Sequence, residues 1–371
     1  MLTQNRVYII TSSVEAGTIE TLPVAPQLEL IPHEAIRKTS RHFTPDQKVC
    51  ITSEYSLSSV IDSLDPARRN AVEVLKDKFK FRNILKEIYP EYNFSSVKPA
   101  DISHLKIDRK SVIKPTRGIF GTAVRIIDPE TDMLRLGSEL EEDIWKNAKV
   151  YPDSVLASEE FILEDFIGGE EYAVDMFYDS FGIPRIVNVM HHPLPENPAY
   201  MHMIYNSSKT AFDVMYMKSQ QFFEELNKVL NVKNFLLHSE LRLWNDRIYP
   251  VEINSMRFGG MGLCNLIYYS HGVNPFLCFL EDREPDWNVL WNGKEQQVYS
   301  FFIAYNGAKA DLEKSKPDPL KLKSRFTRIL LEHLFDYRKQ LAFGIYFLEE
   351  TEENIKELVK LEFDDFFVAN G

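Results

Sequence analysis

Short strand-like apolar runs occupy residues 7–10 and 49–52, separated by proline-containing loops, and a helical spacing follows over 56–64. The pattern predicts a small α/β lobe. Pro66 stands where a first helical turn would begin, and Val72, Leu75, Phe79, Ile84, Leu85 and Ile88 then recur at helical spacing as far as Pro90. This predicts one long helix on which Lys78 and Arg82 lie a turn apart. From Ser111 the reading is strand (112–114), glycine-containing turn and strand (124–127), followed by a helix over 140–146. Apolar runs at 161–166, 172–178 and 186–190, broken by Gly168-Gly169 and Ser180-Phe181-Gly182, predict strands of one sheet. Three prolines make 191–200 a loop, so His191 and His192 read as surface histidines. A helix is expected over 212–230; after Trp291 come a helix-rich segment, a strand at 343–348 and a last helix over 352–361.

The most informative stretch is the predicted hairpin from Phe235 to Asn254. Leu237, Leu241 and Leu243 share one face of its first half, and Tyr249, Val251 and Ile253 one face of its second. Matching those faces requires odd residues opposite odd ones, which a three-residue loop, Asn245 to Arg247, provides. Glu240 then faces Glu252, and His238 faces Asn254. Two carboxylates about 5 Å apart at Cβ repel by about 3 kcal/mol at an effective dielectric near 20, so a cation is expected between them. Oxygen donors alone suit Mg²⁺ or Mn²⁺ better than zinc. A solvated hairpin face whose charges keep a sheet edge soluble fits the hairpin alone equally well. Beyond Asn254 come Arg257 and Gly259-Gly260, a guanidinium beside flexible backbone, which is a phosphate-binding combination; the alternative for Arg257 is a salt bridge to the acidic face.

A chain of 371 residues exceeds the usual single domain, and 44% hydrophobic residues can fill more than one core. Its net charge of −12 carries no basic block, which argues against nucleic acid or an anionic membrane as partner and favours a small molecule. No apolar run approaches the roughly 18 residues that cross a bilayer, and the first residues lack a secretory signal's apolar stretch. A cytoplasmic protein is expected, and Cys50, Cys264 and Cys278, without C-x-x-C spacing, suit free thiols there. Neither a P-loop nor a dinucleotide G-x-G-x-x-G is present.

Glu240, Glu252-Ile253-Asn254 and Arg257 together resemble the metal-binding end of the ATP-grasp superfamily. Ile162-Leu163-Glu164-Asp165-Phe166-Ile167-Gly168-Gly169-Glu170-Glu171 is similar to the hinge between that family's two grasping lobes. The resemblance implies that Glu164 accepts from the adenine amino group, that backbone at Phe166 or Ile167 meets the ring, and that Glu171 holds the ribose. Lys114, in Val112-Ile113-Lys114-Pro115, resembles the strand lysine that reaches ATP phosphate. Residues 116–122 would be the loop that closes over the phosphates, and Lys78 resembles the earlier phosphate lysine. Three departures stand out: sparser glycine and serine after Lys114, Arg257 three places after Asn254 where two is commoner, and no glycine-rich substrate loop in the first lobe.

The implied fold is α+β: two α+β lobes gripping ATP, behind a small α/β domain at 1–75. The ATP-grasp region would span 76–290, with 110–170 as lid, and 291–371 would be an α/β extension packed on the core. The implied activity is an ADP-forming ligase. With ATP and Mg²⁺ or Mn²⁺ it converts a small carboxylate to an acyl phosphate, which an amine or thiol attacks. Glu240, Glu252 and Asn254 would hold metal, Arg257 would act at the transferring phosphate, and His238 and Arg242, on the same face, would touch substrate. An ATP-grasp kinase and a catalytically silent ATP-binding protein are the alternatives, and a homodimer is left open.

Overall fold

The computed structural model describes residues 6–12, 21–39, 41–118, 123–148 and 157–370, with backbone only at 144–148 and 157–159. Three parallel strands, β1 (Val7–Thr11), β2 (Leu28–Pro32) and β3 (Lys48–Ile51), open the chain in the spatial order β2-β1-β3. Helices α1 (His33–Thr39) and α2 (Glu54–Val60) accompany them, and Ser53 starts α2 by accepting from Tyr55 N. Asp65 caps α3 (Pro66–Lys76), accepting from Ala67 N and Arg68 N, with Pro66 in the first turn where its missing N–H costs nothing.

The single helix expected to run on to Ile88 breaks at Asp77, which is extended (φ −103, ψ 107). Its side chain accepts from Lys80 N at 3.0 Å and so starts a second helix, α4 (Lys78–Ile84). An aspartate that satisfies an N–H ahead of it competes with helix continuation, and apolar spacing cannot register that. Lys78 consequently opens α4.

Strands β4 (Phe94–Val97), β5 (Ser111–Arg117), β6 (Arg125–Ile127) and β7 (Ala157–Asp165) form an antiparallel sheet in the order β4-β7-β5-β6. Helix α5 (Met133–Ala148) packs on it through Leu136 and Leu140, against Val97, Ile113, Ile127 and Phe161. A second, eight-stranded sheet contains β8 (Glu170–Tyr178), β9 (Pro184–His192), β10 (Ile204–Ser208), β11 (Phe235–Trp244), β12 (Arg247–Ser255) and β13 (Val298–Tyr305). Beyond β14 (Ser315–Pro317), strands β15 (Arg328–Leu334) and β16 (Ala342–Glu350) complete it in the order β12-β11-β8-β9-β10-β13-β16-β15. The segment after Trp291, expected to be rich in helix, is instead mostly strand and continues the same sheet, while β17 (Phe367–Ala369) pairs with β14. Helix α6 (Lys209–Leu230) covers one face, burying Phe222, Phe223, Leu226 and Leu230 in the main core, and Tyr178 donates to Phe223 O at 2.8 Å.

Two expectations need correction. The runs expected in one sheet divide between two, because the chain leaves β7 and enters β8 through Gly168-Gly169. Gly169 has φ +82, and a Cβ there would lie 2.0 Å from Leu243 O, so only glycine permits this turn. The loop expected from 191 starts later, since β9 runs through His192.

Candidate active site

Alternation puts His238, Glu240 and Arg242 on one face of β11, and pairing brings Asp175, Ala173 and Glu171 of β8 beside them. On the other flank Glu252 pairs with Glu240 and Asn254 with His238, the register expected. The means differ. The turn is the two residues Asn245 and Asp246, both with positive φ, and β12 carries a bulge beside Glu240/Leu241. A two-residue turn with both φ positive matches the twist of antiparallel strands, and the bulge restores the alignment that a longer turn would have given.

No described residue donates a hydrogen bond to the Glu240 carboxyl. Burial, then the charges of Glu252 and Glu171, push it up to about 7 against the pull of His238 and Arg257. Burial also works to raise Glu252, but Lys78, Lys76 and Lys114 outweigh it and hold that carboxyl below its ordinary range. Lys78 Nζ lies 3.5 Å from Glu252 Oε2 and donates to Gly118 O at 3.4 Å. A cation between the two carboxylates would relieve their mutual repulsion, and their oxygen donors fit Mg²⁺. Among the described residues no three His, Cys, Asp or Glu side chains form a metal cage. A metal here would draw further ligands from outside the protein, as Mg²⁺ does from nucleotide phosphates.

Above this floor stands a buried ion cluster. Glu164, at the end of β7, accepts from Arg82 Nε at 2.7 Å and pairs with Lys114 Nζ at 2.6 Å. Arg82 also reaches Val251 O at 3.3 Å, joining α4 to β12 beside Glu252. Burial alone would raise Glu164; the two cations hold it at about 2. Burial draws Lys114 down against the field of Glu164. Glu164, expected at the adenine amino group, thus has both oxygens engaged by cations. Thr116 to Gly118 continue from Lys114, and 119–122 of the expected phosphate loop lie outside the described residues.

At the hinge Phe166 N donates to Lys110 O at 3.3 Å and Ile167 O accepts from Arg242 Nη1 at 3.2 Å. Ile167 N makes no hydrogen bond to a described residue. Glu171 accepts from Arg242 Nη2 at 3.0 Å and meets His192 Nδ1 at 2.7 Å. Burial opposes ionisation, but His192 and Arg242 hold Glu171 at about 2. His192 is buried and stacks on Tyr205 at 4.1 Å. It is therefore no surface histidine, whereas His191 is partly exposed and pairs with Glu170.

Arg257 lies just past the acidic pair. It reaches the N-terminal lobe, donating from Nε to Glu54 Oε1 at 3.0 Å. His238 Nδ1 meets Asp175 Oδ1 at 2.7 Å; that oxygen also accepts from Gly259 N at 2.7 Å, and Oδ2 accepts from Asn188. The structure thus brings Lys78, Lys114, Glu164, Glu171, Glu240, Arg242 and Glu252 together where α4 and the four-stranded sheet meet β8, β11 and β12. It adds Arg82, Asp175 and His192, and from earlier in the chain Glu54 and Lys76. Asp175 was within reach of the alternation that places Glu171, and Arg82 of its one-turn spacing from Lys78. Glu54 carried no local signal.

Two lobes, one four-stranded and one eight-stranded, are joined by a glycine hinge and meet at facing acids and buried lysines. Residues 107–265 match the ATP-grasp domain family. Its whole fold is shared with solved ATP-grasp ligases. One is an L-amino acid ligase from Bacillus licheniformis, with TM-score 0.67, 16% identity and 99% of each chain covered. A second is phosphoribosylamine–glycine ligase from Thermotoga maritima, with TM-score 0.59, 13% identity, 99% of this chain and 98% of that one. A third is N5-carboxyaminoimidazole synthase from Aspergillus clavatus, in complex with ADP and its ribonucleotide, with TM-score 0.61, 12% identity, 96% of this chain and 99% of that one. No curated protein matches the sequence. No helix among the described residues is long and apolar enough to cross a membrane.

Proposed function

We propose that the protein is an ADP-forming ligase that uses ATP and a divalent metal to activate a small carboxylate for attack by an amine or thiol. The carrying observation is the register pair Glu240 and Glu252, two carboxylates facing each other across β11 and β12 with Lys78 beside them. Two of the three similar structures are named ligases and the third a synthase, names that agree with this class.

Glu240 and Glu252, with the amide oxygen of Asn254, would hold Mg²⁺ or Mn²⁺, which supplies neutralisation of β- and γ-phosphate charge. Lys78 and Lys114 offset the remaining negative charge, and Glu164 fixes Lys114 in the ionised cluster. Ile167 N and the backbone of Phe166 read the adenine edge, while Glu171 accepts from ribose hydroxyls with its Arg242 pair as support. Arg257 acts on the phosphoryl group in transfer, where charge spreads over the equatorial oxygens. The substrate carboxylate oxygen attacks γ-phosphorus, the β–γ bridge breaks and ADP leaves; the nucleophile then expels phosphate from the acyl phosphate. His238, oriented by Asp175, and Arg242 face the acid's side of the cleft. Three buried free cysteines suit a reducing cytoplasm.

Purified protein is screened with MgATP and pooled amino acids and other small carboxylates, with hydroxylamine as nucleophile. ADP, phosphate and a hydroxamate should appear together, and oxygen-18 from the acid should move into the phosphate. AMP with pyrophosphate, or a stable phosphorylated product without oxygen transfer, rules the ligase out.

A further inference from the structure

Glu54 belongs to the N-terminal lobe, at the first turn of α2, yet its carboxylate bridges two cations of the other lobes' walls. Oε1 accepts from Arg257 Nε at 3.0 Å and Oε2 from Lys76 Nζ at 2.5 Å. Lys76 ends α3, two residues before Lys78 opens α4, and Arg257 stands three residues past Asn254. One side chain thus fastens the segments carrying the proposed phosphate lysine and the proposed transfer arginine. The backbone repeats the connection, for Ile51 N donates to Met256 O at 2.8 Å, Met256 N donates to Leu236 O at 2.9 Å, and Met256 sits at φ +64. The chain turns sharply at Met256 and is clamped on both sides just before Arg257. Lys48 ties the same lobe farther on, with Nζ on Leu280 O at 3.0 Å and Asp282 Oδ1 at 2.6 Å.

We infer that Glu54 is a positioning residue through which the N-terminal lobe sets Arg257 and the start of α4 against the terminal phosphate of the nucleotide. The inference rests on the phosphate role given to Arg257 above. Glu54 touches no reacting atom in this account; it acts through two cations. Its side chain is only 11% exposed and both partners are comparably buried, so the bridge is shielded from solvent screening. With the carboxylate gone, a guanidinium on a rotamer-rich stem loses its anchor, and a charge an ångström out of place stabilises transfer poorly. The lobe that precedes the ATP-grasp domain is then part of the phosphate site.

The test uses the full chain and two probes, the magnesium complexes of β,γ-imido-ATP and of ADP, with dissociation constants from calorimetry and a melt for each variant. The parent should prefer the triphosphate analogue, and Arg257→Ala should lose about tenfold of that preference, about 1.4 kcal/mol. Glu54→Gln should lose a similar factor while ADP affinity changes less than about threefold, and in the Arg257→Ala background it should add less than about twofold. If Glu54→Gln does not fold, Glu54→Asp, which keeps charge but shortens reach, should shift the preference in the same direction. A Glu54 variant that keeps the parent's preference while Arg257→Ala loses it overturns the inference alone, as does equal weakening of both probes. An Arg257→Ala protein with the parent's preference overturns the role of Arg257 itself, and the inference with it.

Discussion

Replacing Glu240 by Gln should make the ligand-free protein more stable at high pH and leave it nearly unchanged at low pH. The Glu240 carboxyl stands at about 7 instead of its ordinary 4.5 because it is buried and faces Glu252 in register. A pKa raised in the folded state contributes stability fully present below the unfolded value and lost as pH rises through the folded one. At 1.36 kcal/mol per pH unit, the loss between pH 4.5 and 7 is about 3 kcal/mol. Burial is the larger cause of that rise; two charges about 5 Å apart at an effective dielectric of 20 repel by about 3 kcal/mol and add to it. Urea midpoints measured from about pH 5 to about pH 8 in chelator should fall for the parent and stay flatter for Glu240→Gln. The variant should lead by about 2–3 kcal/mol at the alkaline end, and the two should agree within about 1 kcal/mol near pH 5, where an unpaired amide is the main cost. Mg²⁺ with ADP should restore the parent's alkaline stability and release a proton near neutrality, and do neither for the variant. Parallel pH curves for the two proteins would refute the strained acid pair.

Glu164→Gln leaves Arg82 and Lys114 buried without their anion and should cost about 3–5 kcal/mol, read as a lower urea midpoint at neutral pH. Gly169→Ala meets a backbone oxygen at φ +82 and should lower the midpoint by more than about 1 kcal/mol, whereas Gly293→Ala, with open space around its Cβ, should lower it less. MgATP at a hundredfold excess over its dissociation constant should raise stability by about 2.7 kcal/mol. MgGTP should do markedly less, because guanine turns an N1–H donor toward the Ile167 N–H; equal thermal shifts would remove the hinge assignment.

Local pattern by itself determined much of this protein. The alternation of apolar residues along 235–254 and the demand that both apolar faces match set Glu240 opposite Glu252, although the turn is shorter than expected and a bulge makes up the difference. Pairing across a sheet has a period of two, so a buried face leaves a single workable register. What tertiary structure decided was how the charges are partnered. Glu164 reads in sequence as a hinge acceptor, yet Arg82, 82 positions away, and Lys114 claim its oxygens. His192 reads as a loop histidine beside prolines, yet β9 extends to bury it against Glu171 and Tyr205. Glu54 and Arg257 lie 203 positions apart. Periodicity reports which face of an element is apolar, and a charge looks alike on any polar face. Which opposite charge meets it in the interior depends on how lobes dock, and that is fixed only when the whole chain has folded.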